Sequence, residues 1–90
     1  MKKHIVKRRG HTEEFDERKL YASIFNALTV VRVQTADAEL IAEKVAKYVK
    51  DWLTSKHEVT SKDILHKAAK ELESFNDDAA YLYLHHRSVS

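Results

Sequence analysis

Ninety residues suffice for one domain, spanning 1–90, and not for two. With 43% hydrophobic and 33% charged residues, the chain reads as globular, and its lack of cysteine excludes disulfides, cysteine nucleophiles and thiolate metal sites. The net charge of +2 is mild, but residues 1–12 concentrate Lys2, Lys3, Lys7, Arg8 and Arg9 with no acid among them. Such a local basic patch suits a phosphate-bearing ligand better than a long nucleic-acid track. No apolar run reaches membrane-span length and no leader-like segment precedes the first apolar residues, so a cytoplasmic protein without a membrane span is expected.

The first predicted element is a hairpin. Residues 4–8 and 11–15 flank Arg9-Gly10, and the one glycine of the chain supplies the positive φ that a tight turn needs. Gly10 is also the reason to exclude a Walker loop or a dinucleotide-binding fingerprint, both of which need several glycines to wrap phosphates in backbone. Any phosphates bound here must be held by side-chain cations. A short polar hairpin is unstable alone and must rest on an apolar surface.

That surface is helical. Asp16 is a good N-cap, and Leu20, Ile24, Phe25, Leu28 and Val31 recur at helical spacing after it. A second helix opens after Thr35, with a stripe of Ala38, Ile41, Ala42, Val45, Tyr48, Val49 and Trp52 running to Leu53. Residues 57–60 suit a short third strand. Ser61 is then expected to cap a third helix with the stripe Ile64, Leu65, Ala68 and Leu72, and Asp77 or Asp78 to open a fourth through Tyr81 and Leu84. The predicted fold is α+β but mostly α: about four helices capped by a small β-hairpin or three-stranded sheet.

Chemistry concentrates between Ile5 and Leu20. Strand alternation places Ile5 with Lys7, and Glu13 with Phe15, while Asp16 and Lys19 share one side of the helix start. Lys7, Lys19 and Arg8 would give charge-assisted hydrogen bonds to phosphate oxygens. Phe15, Leu20 and Ile5 offer apolar surface to a flat base. Glu13 would accept from an exocyclic amine, which adenine presents, and Asp16 either accepts from sugar hydroxyls or caps the helix.

The run Ile5-Val6-Lys7-Arg8, Gly10, Glu13, Phe15-Asp16 and Lys19-Leu20 resembles the ATP-cone family, the regulatory domain of many ribonucleotide reductases and of a repressor of reductase genes. Val59, Ser61 and Ile64 resemble the start of the family's third helix, and Ala80-Tyr81 its terminal Ala-Tyr. The family's turn aspartate is Arg9 here, and Leu65 stands where some members carry a polar residue. The resemblance implies binding of ATP or dATP, with Mg2+ arriving on the nucleotide, between cap and helices. It implies that Lys7, Arg8 and Lys19 face the phosphates and that Glu13 and Asp16 lie near base and sugar. Ile5, Phe15, Leu20 and Ile64 are then the apolar walls.

No nucleophile with a neighbouring base is visible and the six histidines lack metal-ligand spacing, so neither an enzyme nor a resident metal is expected. The leading reading is a free-standing adenine-nucleotide sensor acting on a partner such as a separately encoded ribonucleotide reductase. Two alternatives are a small DNA- or RNA-binding regulator, disfavoured by the missing basic stripe, and a degenerate cone kept as a protein-interaction domain. Trp52, Tyr81 and Tyr83 are candidates for a homodimer interface.

Overall fold

The computed structural model describes residues 4–6, 12–56 and 58–87, with side chains described within 15–56 and 58–85. It is mostly helical. Two short strands, β1 (His4–Val6) and β2 (Thr12–Glu14), precede α1 (Glu17–Val30) and α2 (Thr35–Leu53); then come β3 (Val59–Thr60), α3 (Ser61–Glu73) and α4 (Asp77–Arg87). The strands lie in the order β2-β1-β3. β1 pairs antiparallel with β2, Ile5 opposite Glu13, and parallel with β3, Ile5 opposite Val59 and Val6 opposite Thr60. The predicted Arg9-Gly10 turn lies outside the described residues.

Helix starts follow from side-chain caps. Asp16 takes the amide protons of Arg18 at 2.9 Å and Lys19 at 3.3 Å on its Oδ1, as its position in the sequence predicts. The third helix starts one residue earlier than expected, because Thr60 rather than Ser61 is the cap. Its hydroxyl accepts from the Asp63 amide while the Asp63 carboxylate accepts from the Thr60 amide, both at 3.0 Å, a reciprocal capping box. Asn76 caps α4 by accepting from the Ala79 amide at 2.8 Å.

The turn between α1 and α2 carries one unusual backbone position. Arg32 sits at φ 68°, and the hydrogen bonds Arg32 N to Thr29 O (3.0 Å) and Val33 N to Leu28 O (3.0 Å) close a Schellman motif around it. Glycine is the usual residue there, since a Cβ crowds the backbone in the left-handed region. Arg32→Gly is therefore expected to stabilise the protein by about 0.5–1 kcal/mol, the relief of strain exceeding the added entropy of the unfolded chain. Chemical denaturation would read this as a higher midpoint with an unchanged slope.

The core is entirely apolar among the described residues. Ile24 and Leu28 of α1, Val45, Val49 and Leu53 of α2 and Leu72 of α3 are fully buried. Ala38, Ala42 and Ala46 line the inner face of α2, and Ala68, Ala69, Ala79 and Ala80 are buried on α3 and α4, which pack together. Small residues at these positions let helices approach closely, so a short chain closes a core with few large side chains. Tyr83 is buried as well, its hydroxyl 3.4 Å from Ser23 Oγ across α1 and α4. Tyr48, placed on the buried stripe by the sequence pattern, is 43% exposed. The buried arc of α2 is narrower than that pattern, because alanine rather than a large residue fills its centre.

Candidate functional site

The order β2-β1-β3 brings two helix starts to one small sheet. β2 runs through Phe15 and Asp16 into α1, and β3 runs directly into α3. Because β1 is antiparallel to β2 and parallel to β3, α1 begins near the His4 end of β1 and α3 near its Val6 end. Those ends are about 7 Å apart at the usual rise of a strand. Each helix start carries the positive end of its dipole, which favours anions, while its caps already take the amide protons of Arg18, Lys19 and Asp63.

The sequence-predicted site residues are distributed over this frame. Ile5 and Glu13 are cross-strand partners by backbone register. Asp16, Lys19 and Leu20 occupy the cap and first turns of α1. Lys19 is exposed, and Asp16 is exposed with one carboxylate oxygen engaged by the cap. Leu20 and Ile64 are each 7% exposed and belong to the same hydrophobic cluster as Val59, with Phe15 half-buried against it. Leu20 and Ile64 are therefore core residues first, available to a ligand only at an edge. Lys7 and Arg8 lie outside the described residues.

One cation in the frame escapes a reading by motif. Lys62 is exposed in the first turn of α3, two residues beyond the register partner of Val6. The Thr60-x-x-Asp63 capping signature was the signal that could have placed it at a helix start. Next to α1, Glu17 pairs with Lys50 at 3.3 Å, tying the start of α1 to the end of α2. Both side chains are about half exposed, so this pair contributes at most about 1 kcal/mol. No group of three or more His, Asp or Glu residues among those described could hold a metal ion, and no described helix is long and apolar enough to cross a membrane.

A family model for the ATP cone domain matches residues 3–89, nearly the full length of the sequence. The chain belongs to the ATP-cone family. As an ATP-cone domain it is a nucleotide-binding regulatory module, of a kind that binds ATP or dATP and is not catalytic. The match covers both strands of β1 and β2, both helix starts and the segment carrying Lys7 and Arg8. It therefore spans every residue singled out from the sequence for nucleotide contact.

Proposed function

We propose that this ATP cone binds one adenine nucleotide, ATP or dATP with its Mg2+, where its strands cap the starts of α1 and α3. The observation that carries this reading is the delivery of two helix N-termini and their cations, Lys19 and Lys62, to opposite ends of β1. Lys7 and Arg8 follow directly on Val6 in the sequence. Four cations on long side chains can converge on a triphosphate from both ends of a strand this short. The nucleotide's own Mg2+ offsets part of the phosphate charge, so the protein need supply no carboxylate cage.

Base and sugar take the remaining groups. Glu13 accepts from the exocyclic amine of adenine, which the carbonyl edge of guanine cannot offer. Asp16 accepts from a sugar hydroxyl through Oδ2, the oxygen its cap leaves unused. Ile5 and Phe15 form the apolar walls, with edges of Leu20 and Ile64 beneath them. One domain, acting in the cytoplasm where its ligands are abundant, would then present different helix surfaces when occupied and when empty. A ligand shifts that balance only by its differential affinity for the two states. A ribonucleotide reductase is the partner that the family relationship favours.

Calorimetric titration tests this reading. ATP and dATP are expected to bind with GTP at least about tenfold weaker, the loss that follows from leaving one charged hydrogen-bonding group unmatched. Equal affinity for ATP, GTP and inorganic tripolyphosphate would overturn it and leave a basic patch. A steep salt dependence shared by long oligonucleotides would point instead to nucleic acid.

A further inference from the structure

On the outer face of the α2–α3 pair lies a cluster that nucleotide binding does not use. Tyr48 and Trp52 stand one turn apart on α2, Tyr48 exposed and Trp52 half-buried. Lys67 of α3 holds its ammonium over both rings, 5.0 Å from the Tyr48 centroid and 5.6 Å from that of Trp52. Lys56, just past the end of α2, lies 5.5 Å from the same Trp52 centroid. The two ammonium groups are thus separated by no more than their combined distances to one indole.

Lys67 has acids at ion-pairing spacing on its own helix, Asp63 before it and Glu71 after it. Among the described residues it pairs with neither, and Asp63 is engaged in the capping box instead. The rings attract the cation but provide no lone pair, so its three N–H donors stay available to an acceptor. Held over two rings, the side chain has also given up rotamer freedom before any partner arrives, which reduces the entropy lost on binding.

We propose that this face docks an acidic segment of a partner protein, a carboxylate meeting Lys67 and an apolar side chain resting on the exposed edge of Tyr48. Charge complementarity selects an anion, and the rings select a protein over a nucleic acid. A base must displace the ammonium groups already lying over those rings in order to stack, whereas a carboxylate approaches them from outside. Tyrosine and tryptophan are also among the residue types enriched at the energetic centres of protein interfaces.

Trp52 is the only tryptophan and reports on this face directly. The full chain is titrated by fluorescence with a short Glu-rich peptide, its Gln-for-Glu counterpart and an oligouridine of similar length. The Glu peptide is expected to saturate the Trp52 signal and the Gln peptide to leave it unchanged. Lys67→Gln should weaken the Glu peptide about tenfold, Lys67→Arg should restore it, and Lys70→Gln, an equal charge change at an exposed position on α3, should cost less than about twofold. Equal losses at Lys67 and Lys70, equal binding of the Gln peptide, or tighter binding of oligouridine would each overturn the proposal.

Discussion

Replacing Lys19 by alanine is expected to weaken ATP binding by about tenfold or more while the ligand-free protein melts within about 2 °C of the parent. The ammonium is exposed and makes no ion pair among the described residues, so the folded state loses little with it. Its backbone amide, which donates to Asp16, is kept in alanine. Asp16 separates the same two roles. Asp16→Asn keeps a good helix cap and removes the carboxylate, so it should lower affinity at nearly constant stability. Asp16→Ala should lower affinity and cost about 1 kcal/mol of stability as well. Calorimetry beside thermal unfolding distinguishes these outcomes, and Lys47→Ala, on the exposed side of α2 and paired with Asp51, should change neither by much.

Ile24→Ala is expected to destabilise the fold by about 2–5 kcal/mol. Ile24 is fully buried at the centre of α1, and a cavity there faces side chains that cannot all relax into it. For a domain of this size the whole stability is roughly 5–13 kcal/mol, so the variant should show a melting transition lowered by more than about 10 °C. Leu40→Ala removes a large aliphatic side chain that is 56% exposed, and should change stability by less than about 0.5 kcal/mol. A small effect at Ile24 would contradict the packing described for α1.

The helices were legible because their signals are local. Asp16 stands before an apolar period of 3.6, and the structure starts α1 immediately after it. The boundary at α3 was displaced by one residue because Thr60 and Ser61 are both capping types. Only the pairing of Thr60 with Asp63 decides between them, and Asp63 stands where the usual signature has Glu or Gln. Tyr48 illustrates a different limit. Periodicity gives the direction of a helix face but not its width, which depends on how closely the alanines of α2 approach their neighbours.

At the site, motif and topology contributed different things. The spacing from Ile5 to Leu20 identified which residue types belong together, but no local pattern tells that β3 adds parallel to β1. That pairing sets the α3 start, with Lys62, beside the Val6 end of β1. The lysine–aromatic cluster was likewise invisible in the sequence. Tyr48 and Trp52 are near one another in the chain, but Lys67 reaches them only through the packing of α3 on α2.

The central claim is that adenine nucleotide sits where the strands meet the starts of α1 and α3, and backbone amide chemical-shift mapping tests it most directly. With saturating ATP and Mg2+, the largest shifts are predicted at Ile5 to Arg8, Glu13, Asp16 to Leu20 and Val59 to Ile64. The turn at Arg32 to Gln34 should stay silent, since α1 carries it roughly 20 Å from the site at 1.5 Å per residue. GTP at the same concentration should produce a weaker version of that pattern. Shifts centred on the α1–α2 turn or on the α2–α3 face, or an equal response to GTP, would contradict the account.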